Sequence, residues 1–183
     1  QHHTAALTLH GHDLATFTNF TPGAGVFLNE WFYVPLWVGA LLLALWAARV
    51  NGLGRGALLA LALLVASLGF PTYPEILAAY RAPNAGGVDY RLQFYVTLSV
   101  MALVAGAIGF GRRLPARAHA IISAVLVCAV AIPLVGYLVI RPFIETLYRD
   151  SVGIGAGWWG TLVIWGVAAP IFLWRSIVNR EMD

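Results

Sequence analysis

Apolar residues run in five long blocks, separated by short stretches where arginine, glycine, proline and acidic residues gather. The blocks cover residues 31–50 (WFYVPLWVGALLLALWAARV), 55–73, 89–110, 118–140 and 157–174. A hydrocarbon core about 30 Å thick takes about 20 residues of helix to cross. The pattern therefore predicts an all-α, polytopic integral membrane protein: a bundle of about five transmembrane helices with short outer-face helices. Residues 1–30 read as an N-terminal arm with an interfacial amphipathic segment, 31–175 as the bundle and 176–183 as a tail.

Prolines and glycines punctuate this plan. Pro35 falls in the first turns of the first span, where backbone N–H groups have no intrahelical partner. Pro71 and Pro74 stop the second span, and Asp89 is placed to cap the third. Pro133 and Gly136 lie mid-way along the fourth, a pairing that predicts a kink. Pro74 with Glu75 is expected to open one short outer helix. Pro142 is expected to open another, with Glu145 and Arg149 paired at i,i+4.

Composition agrees with a membrane reading, being 60% hydrophobic and 10% charged with a mean hydropathy of +0.79. The eleven basic residues are all arginine, and their distribution suggests an orientation. One side of the predicted bundle holds seven (Arg49, Arg55, Arg112, Arg113, Arg117, Arg175 and Arg180) against Glu181 and Asp183, a balance of +5. The other holds Arg81, Arg91, Arg141 and Arg149 against six acids, a balance of −2. Cytoplasmic loops are enriched in arginine, so the N-terminus is expected outside and the C-terminus inside, in a membrane of the bacterial inner-membrane type. A first residue of glutamine rather than methionine fits a processed, exported end. The basic pI is then a matter of topology, and nucleic acid is not an expected partner.

Much familiar chemistry lacks its residues. Without lysine there is no Schiff base. Cys128 is the only cysteine, is expected to be a small buried hydrophobe, and excludes disulfides within the chain and CxxC redox pairs. His119 is the one histidine near a span, too few for a bis-histidine haem. Neither HExxH, GxSxG, a P-loop nor paired intramembrane acids are present, so proteolysis, acyl transfer, ATP hydrolysis and ion-coupled transport are disfavoured. No catalytic residue of the chain's own is expected.

Two groups remain as site candidates. The opening stretch QHHTAALTLHGHD offers His10, His12 and Asp13 as metal ligands, with a loosely binding arm or a tag remnant as the alternative. Near the outer boundary, aromatics crowd around a few polar tips, Gln93 among them. Trp31, Glu75, Arg91 and Phe94 are the candidates there for a quinone, lipid or ligand pocket, as against an interfacial aromatic belt. Small residues at helix-packing spacing, Ala102, Gly106 and Gly109 among them, suit close helix approach, either within the chain or with another subunit.

The expected function is that of a non-catalytic subunit of a larger membrane assembly, of the respiratory or photosynthetic electron-transfer kind. Its expected partners are membrane lipids and other integral membrane subunits. The alternative is a carrier or substrate-binding module for a small neutral or apolar molecule. A third reading is a copper-dependent oxidase subunit using the opening histidines.

Overall fold

The computed structural model describes residues 28–81 and 90–149, with residues 159, 160, 163, 165 and 167 of the last apolar block. Every regular element among the described residues is an α-helix: α1 (Leu28–Trp31), α2 (Val34–Arg49), α3 (Leu53–Ser67), α4 (Tyr73–Arg81), α5 (Arg91–Gly111), α6 (Ala116–Ala129) and α7 (Ile132–Tyr148). The fold is all-α as expected. The stretch Arg117–Leu147, 31 residues covering most of α6 and α7, is long and apolar enough to cross a membrane. Val34–Arg49, Leu53–Ser67 and Arg91–Ala107 are apolar but shorter.

The core follows from where small residues recur. Trp37, Ala40 and Ala44 on α2, Ala62 and Ala66 on α3, and Val100, Val104 and Ala107 on α5 are spaced by three or four residues and bury one face each. Alanine at these crossings lets the three backbones approach closely. The central element is α2, packed against α3, α5 and α6, with Val38, Leu42, Leu45, Ala47 and Ala48 also buried along it. Trp165, from the last apolar block, comes within 3.8 Å of where a Cβ on Gly39 of α2 would stand. A second, smaller cluster joins Phe32, beside α1, to Tyr137, Ile140 and Ile144 of α7.

Several local expectations are met. Pro35 sits in the first turn of α2, and α3 ends before Pro71. Gly52, with φ of 69°, makes the turn between α2 and α3 in a region that side-chain-bearing residues avoid.

Others are corrected. The irregularity expected at Pro133 and Gly136 falls just before them: the chain tightens at Val130 and Ala131, both still in the right-handed helical region, and runs on into α7 with Pro133 in its first turn. A proline there lacks only an N–H that a helix start leaves unpaired. Pro142 opens no new helix and lies inside α7. The buried stripe Tyr137, Ile140 and Ile144 holds the helix through that point, while Pro142 itself faces outward. Because the helix is continuous, Glu145 pairs one turn back with Arg141 at 2.8 Å. Arg149 has left the helix as its C-cap, in the left-handed region at φ of 52°. Cys128 is exposed on α6 rather than buried, on a face it shares with Ile121 and Val125.

The Asp89 cap, the opening arm with His10, His12 and Asp13, the C-terminal tail and most of the fifth block lie outside the described residues.

Candidate functional site

Titratable residues are absent from the packed middle of α2, α3 and α5, so the chemistry gathers at the two ends of the bundle.

At one end a buried polar network ties three elements together. The helix α3 stops at Ser67, and its last turn tightens: Leu68, Gly69 and Phe70 donate to Val65, Ala66 and Ser67. A helix that ends leaves carbonyls without main-chain donors. Side chains of α5 take up the one on Gly69: Gln93 Nε2 and the Thr97 hydroxyl both donate to it at 2.9 Å. Thr97 Oγ1 in turn accepts from Trp37 Nε1 at 3.1 Å. Gln93 and Thr97 stand four apart on α5 and so share a face, and both are almost fully buried. Gly69 cannot carry a side chain here, because a Cβ would lie 2.5 Å from Trp37 Nε1 and 3.2 Å from the Ala66 carbonyl. One atom is left over: Gln93 Oε1 is buried with no hydrogen-bond partner. The amide cannot be reversed to help it, since that would bring two oxygens together at Gly69.

Rings cluster beside this network. Phe94 lies 5.5 Å from Phe70, 6.4 Å from Tyr80 and 5.7 Å from Tyr95, centroid to centroid, the two tyrosines meeting it edge-on. The Tyr80 and Tyr95 hydroxyls are 3.1 Å apart. That hydrogen bond raises the Tyr80 phenol above its usual pKa of 10.0, and the positive charge of Arg91 partly opposes the shift.

The four candidates of the aromatic boundary are thus distributed as follows. Phe94 is the hub of the ring cluster, Arg91 acts on Tyr80 from the first turn of α5, and Glu75 belongs to α4, which packs on α5. Trp31 stands elsewhere: with Phe32 it lies against Gly136 of α7, 3.6 Å from where a Cβ would be. Glu30, on the same short helix, is buried. Among the described residues no three His, Cys, Asp or Glu side chains are grouped to hold a metal ion.

The other end is made of arginine. The antiparallel course of the chain brings the end of α2, the start of α3, the end of α5 and the start of α6 together. Arg49 donates to the Leu114 carbonyl at 3.0 Å, crossing from α2 to the α5–α6 turn. Arg55 closes the end of α2 by donating twice to the Val50 carbonyl, at 2.9 and 2.8 Å. Asn51 Oδ1 accepts from both Arg55 at 2.7 Å and Arg112 at 3.2 Å. Those two lengths bound the separation of the terminal nitrogens at 5.9 Å. Two like charges that close repel by roughly 1–3 kcal/mol, depending on how much water screens them. Among the described residues the side chains of Arg113 and Arg117 make neither hydrogen bond nor ion pair, and no acid stands at this end. His119 turns inward, its Nε2 3.4 Å from the Leu45 carbonyl.

Sequence reading placed Gln93 at the aromatic boundary but missed Gly69 and Thr97 as the groups that join it to Trp37. The available signal was the pair Gln93 and Thr97, two polar residues four apart on an otherwise apolar helix.

In comparisons with known proteins, the chain matches no family model, no curated protein and no solved structure.

Proposed function

We propose that this chain is a polytopic membrane protein acting as a non-catalytic subunit of a larger integral membrane assembly, of the electron-transfer kind. The observation that carries the reading is the outer face of α5. Ala102, Gly106 and Gly109, the small residues at helix-packing spacing, are all exposed. A Cβ on Gly109 would meet nothing, and one on Gly106 only the ring of Phe110 one turn along the same helix. Packing within the chain uses Ala40, Ala44, Ala62 and Ala66 instead. A small-residue face left outward suits a transmembrane helix of a partner, because small residues let backbones come close where lipid gives no hydrophobic drive.

The surroundings suit a bilayer. Leu98 and Leu103 on α5, Leu61 and Leu64 on α3, and Ile121, Val125, Leu138 and Val139 on α6 and α7 are all exposed, far more apolar surface than a water-soluble monomer leaves open. The arginine end then faces the cytoplasm by the positive-inside bias, and the aromatic end faces outward.

The test is native mass spectrometry of the protein extracted from its own membranes in mild detergent, with Gly106→Leu and Gly109→Leu alongside. Companion chains present with the native protein and lost from either variant, at unchanged helicity, are expected. A lone chain in both cases refutes the subunit reading.

One observation favours a second reading, a binding module for a small neutral molecule. Gln93 Oε1 is a buried acceptor without a donor, beside the Phe70, Phe94, Tyr80 and Tyr95 rings, and such an atom suits a ligand's hydroxyl or N–H. Uptake or binding lost in Gln93→Leu with the fold intact supports this reading, and unchanged binding removes it.

A further inference from the structure

The arginine end holds more positive charge than its own contacts use. Asn51 Oδ1, a neutral oxygen, is the shared acceptor of Arg55 and Arg112. Two guanidiniums converging on one amide, with no carboxylate of the described residues at that end, form an arrangement that an anion would stabilise. Arg112 commits one N–H of its five there, leaving the rest of its fork open. Arg113 and Arg117 flank it across the α5–α6 turn, both exposed. The N-termini of α3 and α6 add their positive dipole ends, and at the opposing C-terminal ends of α2 and α5 the carbonyls of Val50 and Leu114 are taken by Arg55 and Arg49.

An apolar element sits in the same place. Leu53, two residues beyond Asn51, is 93% exposed, an extreme value for a leucine at a turn. A phosphate alone has no use for it; an amphiphile does. Guanidiniums match phosphate oxygens in bidentate fashion, and a leucine standing beside them reaches toward glycerol and acyl chain.

We propose that Arg112, Arg113 and Arg117, with Arg55 and Asn51, form a seat for the phosphate of an anionic phospholipid headgroup, and that Leu53 contacts its apolar part. The proposal rests on the membrane reading above, which places this end at the cytoplasmic leaflet, where anionic lipids attract arginine. It makes the arginines a specific lipid contact rather than only a determinant of topology.

The experiment uses the full chain in mild detergent. Native mass spectrometry follows retention of phosphatidylglycerol, cardiolipin or phosphatidylcholine, with inorganic phosphate as a separate probe. The native protein is expected to retain the anionic lipids in preference to phosphatidylcholine. The double variant Arg113→Gln/Arg117→Gln removes only side chains that hold nothing among the described residues, so it should remain folded and lose anionic lipid by roughly fivefold per arginine. Leu53→Ser should reduce lipid retention and leave any phosphate binding unchanged. Arg81→Gln, on α4 at the opposite end, should change nothing.

Equal retention by native protein and double variant overturns the proposal. So does phosphate competing as well as lipid, which makes the site one for a free anion. Restoration of full lipid affinity in the double variant by Glu181→Gln/Asp183→Asn also overturns it, since affinity would then follow net charge rather than the seat. If the protein leaves its membranes in carbonate without detergent, the membrane reading itself has failed. If it needs detergent yet prefers no lipid, only the headgroup seat has failed.

Discussion

Replacing Thr97 with valine keeps the shape of the side chain and removes one hydroxyl. That hydroxyl donates to Gly69 O at 2.9 Å and accepts from Trp37 Nε1 at 3.1 Å. The carbonyl keeps its second donor, Gln93. The indole N–H keeps nothing, and Trp37 is only 7% exposed. Stranding a buried donor costs about 1–3 kcal/mol in water-soluble folds. Interhelical hydrogen bonds in bilayers average only about 0.6 kcal/mol, because the unfolded reference finds partners too. With two bonds lost, Thr97→Val is expected to destabilise by about 1–2 kcal/mol, a fall in Tm of roughly 2–8 °C for a chain of this length. The assay is thermal unfolding in detergent followed by helical circular dichroism. Ser99→Ala serves as control, since that hydroxyl bonds the Tyr95 carbonyl on an exposed face. The decisive comparison is with Trp37→Phe, where no indole N–H remains to be stranded: there Thr97→Val should cost about half as much. An equal loss in both backgrounds, or a Tm within about 1 °C of native for Thr97→Val, would refute the network as drawn.

Gly69→Ala forces a Cβ against Trp37 Nε1 and the Ala66 carbonyl, and should cost about 1–3 kcal/mol by overpacking. Gly109→Ala, which meets nothing, should be neutral or stabilise by up to about 1 kcal/mol; the same unfolding curves separate the two. Gly52→Ala should destabilise by about 1–3 kcal/mol, because φ of 69° is retained by the turn. Cys128, exposed on an apolar face, should resist charged and uncharged maleimides alike in intact membrane vesicles, because its thiolate does not form in hydrocarbon, and should react once the chain is unfolded in detergent. Labelling by both reagents before unfolding places that face in water.

The helices were legible because each depends on a local apolar run bounded by glycine or proline, as at Pro35, Gly52 and Pro71. Pro142 misled for the same local reason. A proline was expected to start a helix, yet Tyr137, Ile140 and Ile144 bury a stripe that continues past it, and packing outweighed the lost hydrogen bond. The Glu145 pairing followed that error. The arginine end was legible as a charge tally but not as a structure, since nothing in the sequence says that Asn51 and Arg112, 61 positions apart, meet. The Trp37 and Thr97 contact spans 60 positions and was invisible for the same reason. Cys128 shows the limit of reading burial from hydrophobic surroundings: a residue among apolar neighbours in the sequence can still face outward.

The tightened step at Val130 and Ala131 bears on how the fourth block would fit a bilayer on the proposed reading. At 1.5 Å per residue, a straight helix of 31 residues is about 46 Å long, well beyond the roughly 30 Å of hydrocarbon. A rigid rod of that length relieves the mismatch by tilting as a whole or by thickening the lipid around it. An irregular step such as that at Val130 and Ala131 gives a helix a point at which it bends, so on the proposed membrane reading α6 would stay upright beside α2 while α7 leans. In a chain that spans the bilayer as proposed, the joint would uncouple the tilt of the arginine end from that of the end carrying Arg141 and Glu145, and would suit membranes of different thickness without disturbing the α2–α3–α5 core.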